Sequence, residues 1–308
     1  MANAWRSTAD VVTMNTDLGF IISDVLDGAP LVAMMAARTA QKNTITYSKR
    51  TVNPVTAFRA ENDGLENTDS TTVAITATLK ILDASFSVDV AVADAREDGY
   101  LSEIFDEGQA HLRQAFAEIE SQIFYSTGTG GQAAGFIGLN TLTNLDDIAD
   151  AQTVNAGGTT ATTASSVYAM RFGERDVELV WGQRGQLAMG DMSVVPVAGA
   201  TGTFPAYYTP ITGLVGLKIG GVSSVVRIVN VTADSTKTLS DDLLADAITA
   251  MDGGMPHAFV MGKRSLGQLR ASRTATNPTG APAPFPTEAH GVPIVVSPQI
   301  LETEALAT

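Results

Sequence analysis

The chain has 308 residues, a mass of 32.1 kDa and 19 Lys and Arg against 33 Asp and Glu, a formal net charge of −14. This acidic balance argues against a protein that mainly grips a polyphosphate backbone, which needs clustered basic charge. The absence of cysteine excludes disulfides, thiolate metal sites and a cysteine nucleophile. The hydrophobic content of 44% is enough to bury a core, and no apolar run is long enough to predict a membrane span.

The first 40 residues predict an N-terminal arm with little core of its own. Two apolar runs, Leu18–Leu26 and Leu31–Ala37, flank an Asp-Gly-Ala-Pro turn at 27–30, and each run is typical of a short helix. The chain begins without the basic and apolar regions of a signal peptide, so we expect no such leader. An arm of this composition needs another surface on which to pack.

Residues 44–92 predict strands, because apolar and polar side chains alternate along them. The parity of the apolar positions changes near Ile81 and Leu82, which indicates a bulge or a bend. A charged, turn-rich stretch at 58–67 separates the first two strands. We therefore predict a long two-stranded arm with a polar tip, and we expect it to lie on another surface because a lone hairpin is only marginally stable.

Residues 97–126 predict an amphipathic helix of about 30 residues, which is about 45 Å long. Its apolar residues recur at spacings of three and four and are Leu101, Ile104, Phe105, Leu112, Phe116, Ile119 and Ile123. The charged residues fall largely off this stripe and are Glu103, Glu107, Arg113, Glu118 and Glu120. A helix of this length is expected to support the rest of the fold.

The second half of the chain mixes strands and helices, which predicts an α+β fold. Residues 128–166 are loop-like, and the uncharged part at 151–166 predicts an exposed, mobile segment. The elements predicted after it are the strands Val167–Phe172, Val177–Trp181, Ile211–Ile219 and Val222–Val231, a helix capped by Ser240, the strand Ala258–Met261, the helix Leu266–Ser272, a proline-rich loop at 274–287 and the strand Val292–Val296.

No pattern predicts a catalytic, cofactor or metal site. The glycines at 128–131 follow a helix and have no nearby lysine, so they indicate a helix end rather than a phosphate loop. The three histidines, His111, His257 and His290, are isolated in sequence and imply no hydrolytic triad. The paired aspartates at 146–147 and 241–242 fit a loop and a helix N-terminus better than a glycosidase dyad or a calcium loop.

We predict instead that residues of the two arms contact neighbouring copies of the chain. An extended arm without a core is costly to order alone, so the charges at its tip are expected to pair with another copy. A tryptophan in a segment with no local core more often anchors an interface. The predicted interface residues are Trp5, Arg6, Phe58, Arg59, Glu61, Asp63, Glu66, Arg96, Arg113 and Glu118.

The order of the elements resembles the major capsid proteins of tailed double-stranded-DNA bacteriophages, whose fold is shared with encapsulins and the herpesvirus capsid floor. The hairpin arm resembles the extended E-loop of that family, and residues 97–126 resemble its spine helix. SDDLLADAITAM, HAFVMGKRSLGQL and HGVPIVVSPQI resemble the axial domain. SSVYAMRFGERDVELVWGQRG and GTFPAYYTPITGLVGLKIGGVSSVVRIVNV resemble the peripheral strands of a subset in which these precede the axial domain, and ILETEAL fits the end of that subset.

The resemblance implies a division into an N-terminal arm at 1–42, a hairpin arm at 43–94, a peripheral domain at 95–236 that contains the spine helix, and an axial domain at 237–308. The subset commonly has an Arg-Asp pair where this chain has Lys218–Gly221, and its Lys-Gly turn is replaced here by Gln183–Gly185. Some members cross-link covalently through an arm lysine, but no matching partner can be assigned, so no cross-link is predicted.

The resemblance implies a non-enzymatic shell subunit that forms hexamers and pentamers of an icosahedral head around double-stranded DNA. Its expected partners are other copies, a separate scaffolding protein, a portal, a decoration protein and DNA bound non-specifically, with Arg270 and Arg273 as candidates to face DNA and no membrane contact. The expected location is the virion, after assembly in the bacterial cytoplasm. The alternatives are an encapsulin-like container, a phage tail or decoration module and, less favoured, a β-rich hydrolase.

Overall fold

The computed structural model describes residues 26–308 apart from 53, 65–67, 98, 128–129, 143, 184–186, 222 and 279–280. The predicted helix at Leu18–Leu26 and the interface residues Trp5, Arg6 and Glu66 therefore lie outside the described residues, Leu26 excepted. The α-helices of the described part are α1 (Pro30–Met34), α2 (Val90–Asp94), α3 (Tyr100–Phe124), α4 (Asp241–Ala250) and α5 (Lys263–Ala275).

The strands of the described part belong to four sheets. They are β1 (Ala37–Thr39), β2 (Thr44–Val52), β3 (Thr71–Thr78), β4 (Lys80–Asp83), β5 (Phe86–Asp89), β6 (Thr153–Asn155), β7 (Ser165–Met170), β8 (Val177–Trp181), β9 (Ala188–Met189), β10 (Ser193–Gly199), β11 (Gly202–Thr209), β12 (Ile211–Ile219), β13 (Val225–Val231), β14 (Ala258–Met261), β15 (Glu288–Ala289) and β16 (Val292–Val296).

A six-stranded sheet with the order β15-β16-β14-β7-β13-β6 forms the centre of the molecule. Alternate residues of β7 face opposite sides, as the pleat of a strand requires. Val167 and Ala169 join a core with α4 and α5, whereas Tyr168 and Met170 join a second core with α3. Burial on both faces explains why this sheet has continuous apolar strands.

The hairpin arm is formed by β2 and β3, which pair from Thr44 with Thr78 to Val52 with Thr71. The bend predicted near Ile81 occurs at Leu79, which is buried between β3 and β4. Beyond it the chain leaves the arm, since β4 pairs with β12 in a sheet with the order β1-β8-β12-β4. The ladder of the arm is therefore confined to β2 and β3.

Helix α3 is shorter than the predicted helix at 97–126. It begins after Gly99, whose φ of 85° is left-handed, and it ends at Tyr125, which is extended. Five residues of its predicted apolar stripe are buried, namely Ile104, Leu112, Phe116, Ile119 and Ile123, whereas Leu101 and Phe105 are exposed. The placement of Glu120 off the stripe is wrong, because this side chain is fully buried between Phe116 and Phe124.

Three further segments differ from the sequence prediction. The strand expected to run to Val92 ends at Asp89, whose side chain accepts a hydrogen bond from the Ala91 N–H and so begins α2. Residues 151–166 are not wholly exposed, because β6 pairs in parallel with β13, and Ala164, Ser165 and Ser166 are buried. The alternation of side chains did not predict the hairpin of β10 and β11, and only the resemblance placed the residues of β11 among peripheral strands; β11 continues its sheet to β5.

Candidate functional site

The tip of the hairpin arm projects into solvent. Phe58, Arg59, Glu61 and Asp63 are all exposed, and the relative exposure of Phe58 is 107%. Arg59 Nη1 donates to the carbonyl of Asp63 at 2.8 Å across a turn in which Asn62 has a φ of 63°. The structure thus places four predicted interface residues together at one end of the arm.

The rest of the arm also lacks a core. Among the residues between 43 and 78 whose side chains are described, which leaves out 49–51, 53 and 65–67, none is buried, and the half-buried ones are Ile45, Tyr47, Ile75 and Ala77 at the base of the arm. Farther out, Val52, Val55 and Val73 are about half exposed, with fractions of 54%, 56% and 46%. The described apolar side chains of the arm are therefore partly covered at its base and largely exposed farther out.

The base of the arm covers an open cavity of about 440 Å³ that we call the arm-base cavity. Apolar side chains from the arm and from the body line it, among them Tyr47, Ile75, Phe136, Ile137 and Leu217, and Lys80 lies at it as well. Ile137 is 68% exposed. The cavity therefore offers unfilled apolar surface beside a cationic side chain.

Arg96, Arg113 and Glu118 lie on or beside α3 and do not meet the tip of the arm within one chain. Arg96 contacts Glu103 and also pairs with Asp106 at 2.9 Å. Arg113 is exposed and lies against Gly28. Glu118 accepts a hydrogen bond from Gln132 Nε2 at 2.7 Å, and both residues line a smaller cavity that shares Lys80 with the arm-base cavity.

Glu120 joins three distant segments. One carboxylate oxygen accepts the N–H groups of Leu31 at 2.8 Å and Val32 at 3.1 Å, and the other accepts the hydroxyl of Ser297. Burial raises the pKa of this carboxyl to about 7, although these three hydrogen bonds act in the opposite direction. The spine helix therefore holds α1 and the chain after β16 through a single acidic side chain.

A second buried polar cluster fixes the C-terminal segment. Glu304 pairs with Arg227 at 3.0 Å and accepts the hydroxyl of Tyr125 at 2.6 Å. Arg227 also donates to Ser166 at 3.0 Å and to the carbonyl of Leu145 at 3.1 Å. Burial and the neighbouring carboxylate raise the pKa of Tyr125, so its hydroxyl stays protonated. The segment ILETEAL is thereby anchored to the central sheet.

Arg270 and Arg273, the candidates to face DNA, make contacts within the chain. Arg273 forms a two-pronged pair with Asp241 at 2.6 and 2.8 Å and so holds the pKa of that carboxyl below its usual range. Arg270 donates to the carbonyl of Ala283 and lies 4.7 Å from the centre of the Phe285 ring. Both guanidinium groups therefore stabilise segments of the chain that pack beside α5.

Each of the three histidines contacts a different part of the molecule. His111 stacks on Phe86, His257 Nδ1 accepts the N–H of Phe172, and His290 contacts the carbonyl of Asp241. Within the part of the chain that the structure describes, no group of three or more His, Asp or Glu side chains could hold a metal ion. None of the described helices is long and apolar enough to cross a membrane.

Comparisons with known proteins point to one family. A family model described as Major capsid protein GP7 matches residues 22–306. A structure of bacteriophage Epsilon15 aligns over 100% of this chain and 99% of its own, with a TM-score of 0.64 and 19% identity. The bacteriophage JBD30 capsid aligns over 93% of this chain and 96% of its own, with a TM-score of 0.48 and 11% identity. A search of curated proteins gives no match.

Proposed function

Because the chain belongs to the major capsid protein GP7 family, it is a subunit of a phage capsid shell, and we propose that its copies form hexamers and pentamers joined by their arms. The resemblance drawn from the sequence is confirmed at the level of family and of the α+β capsid fold. In the proposed shell each hairpin arm lies over an adjacent copy, and the N-terminal arm runs along a neighbour. The subunit acts as a building block with no catalytic role.

The burial pattern of the hairpin arm is the observation that most strongly supports this proposal. The arm is a two-stranded ladder with no buried residue among those between 43 and 78 whose side chains the structure describes. A ladder of this kind is marginal in water, so an ordered arm needs a second surface. In a closed shell the available surface is another copy, and many modest contacts made at once give a stable assembly.

The proposed interface residues act in two groups. Phe58, Arg59, Glu61 and Asp63 form the tip that reaches a neighbour, and Glu66, Trp5 and Arg6 are proposed to contribute from the same arm and from the N-terminal arm. Arg96, Arg113 and Glu118 form the second group, on or beside α3. In this proposal residues 1–42 form the N-terminal arm, 43–94 the hairpin arm, 95–236 the peripheral domain and 237–308 the axial domain.

The proposed partners beyond other copies are a scaffolding protein, a portal, a decoration protein and packaged DNA. The net charge of −14 supports a container that does not adhere to its DNA, because like charges repel. Arg270 and Arg273 are satisfied within the chain and give no support to a DNA-facing role. Assembly is proposed to take place in the bacterial cytoplasm before the particle becomes a virion.

Electron microscopy of the expressed protein, with and without a candidate scaffolding protein, tests the proposal. Closed particles with hexameric and pentameric clusters are expected. Tubes or isolated trimers would favour a tail or decoration module. Particles that enclose another protein when no scaffolding protein is present would favour an encapsulin-like container.

A further inference from the structure

The tip of the hairpin arm presents one aromatic side chain between charged groups. Phe58 is fully exposed, and the carboxylates of Glu61 and Asp63 lie in the exposed turn that follows it. An exposed aromatic ring forgoes the favourable free energy that burial of its apolar surface would supply. Such a side chain at the end of a projecting arm is typical of an interface anchor.

The arm-base cavity has the complementary properties. Its volume of about 440 Å³ leaves room for an aromatic side chain, and Phe136, Ile137 and Leu217 supply apolar walls. Lys80 lies at the cavity and forms no ion pair with any described residue. A hydrogen bond from the Leu79 N–H to the Asn43 carbonyl at 2.8 Å brings Lys42 to the same end of the arm.

The tip and the base of the hairpin arm therefore carry net charges of opposite sign. The described tip carries two carboxylates and Arg59, and the base carries Lys42 and Lys80. Glu118, beside the cavity, is an available partner for the one basic side chain of the tip. Opposite charges around an apolar contact steer association and fix its register.

An arm tip that enters the cavity must come from another copy. The ladder from Thr44–Thr78 to Val52–Thr71 holds the tip about 25 Å from the base, since each residue of a strand advances the chain by about 3.3 Å. A contact between the tip of one copy and the base of the next is heterologous, and such contacts generate rings when the rotation closes.

We propose that Phe58 of one copy inserts into the arm-base cavity of the next copy around a capsomer, with Glu61 and Asp63 facing Lys80. This inference rests on the proposed function and adds to it the surface that receives the arm. The contact gives the ring of copies a direction, because every copy donates one tip and accepts one tip. The number of copies in a ring is then set by the rotation between neighbours.

Cross-linking tests the contact directly, because the chain has no cysteine of its own. Ala57→Cys combined with Ala133→Cys, an exposed residue of the cavity lining, keeps Phe58 and the apolar walls; this variant is assembled into particles and treated with a short bismaleimide. A ladder of covalent species that reaches five and six copies is expected on a denaturing gel. Either single variant alone is expected to stop at dimers. Ala57→Cys with Val194→Cys, an exposed apolar position outside the cavity, is the matched control and is expected to give no ladder.

A charge exchange gives an independent readout. Lys80→Glu and Phe58→Ala are each expected to lower the yield of closed particles at least tenfold, and Glu61→Lys with Asp63→Lys is expected to restore the yield of Lys80→Glu. If the wild-type chain forms particles but no ladder appears, and Phe58→Ala and Lys80→Glu assemble normally, the inference is overturned while the proposed function stands. If the wild-type chain forms no particles under any condition, the proposed function itself fails.

Discussion

Pro196 of β10 lies directly opposite Pro205 of β11. Neither residue has an N–H group, so they occupy a pair that exchanges no backbone hydrogen bonds, and the nitrogen of each faces away from the other strand. The nitrogen of Pro196 therefore faces the unpaired outer edge of β10. The nitrogen of Pro205 faces the side of β5, but Pro205 lies one residue beyond the ladder of β11 and β5, which begins with the pair Ala206–Asp89.

This arrangement protects an uncharged hairpin from pairing with the edges of other copies. The residues from Met192 to Leu217 include no charged side chain, and Val194 is 60% exposed. Proline on an edge strand removes a donor that an incoming strand would need. The hairpin can then remain exposed in a concentrated pool of subunits.

Substitution of Pro196 by threonine is expected to open this edge. The new N–H group completes the row of donors on β10, so unassembled subunits should aggregate several-fold faster on mild heating, as measured by light scattering. Ala198→Thr is the matched control, because it adds the same side chain two residues away without adding a donor. Equal aggregation rates for the two variants would contradict this role of Pro196.

Glu120 is expected to make stability depend on pH. The pKa of its carboxyl is raised from 4.5 to about 7 in the folded chain. Between these values the folded state holds a proton that the unfolded state releases, so the free energy of unfolding falls as pH rises, by about 3 kcal/mol in all. Denaturation of unassembled subunits at pH 5 and pH 8 measures this difference, and stability should be higher at pH 5.

Glu120→Gln is expected to flatten that pH dependence. The amide oxygen can still accept from Leu31 and Val32, and the amide nitrogen can donate to Ser297. Glu118→Gln, two residues away on the same helix and half-buried, should keep the wild-type dependence. A slope that is unchanged in Glu120→Gln would show that another group is responsible.

The ion pair of Glu304 and Arg227 is expected to stabilise the packing of the C-terminal segment on the central sheet. Glu304→Ala leaves a guanidinium buried without its charge partner, which costs about 3–5 kcal/mol of unfolding free energy. The combination Arg227→Met with Glu304→Leu removes both charges and should recover part of that loss. Chemical denaturation checks both values, and a double variant less stable than Glu304→Ala would refute the argument.

Elements with a strong local pattern could be predicted from the sequence. The structure has β8, β12, β14 and β16 at the predicted bounds, and Ser240 caps α4 by accepting from the Leu243 N–H. Strand alternation and a capping residue act over a few neighbours, so they are visible without the fold. Helix α5, predicted at Leu266–Ser272, begins earlier, directly after Gly262, and ends later.

What the sequence could not predict depends on distant partners. The leucine that Glu120 caps lies 89 residues away, and Arg227 and Glu304 are 77 residues apart. The spacing of Glu120 from Phe116 and Phe124 was the one local sign that it lies within the buried stripe. Similarly, β10 and β11 each contain a proline that weakens a strand pattern, and only their mutual pairing shows why it is tolerated.

Removal of residues 59–66 tests most directly whether the arm joins copies of the chain. The described residues from 59 to 64 are all exposed, so the variant should keep the thermal unfolding midpoint of the isolated subunit. Sedimentation and electron microscopy should then show folded subunits and no closed particles. Particles of normal size and yield from this variant would contradict the account.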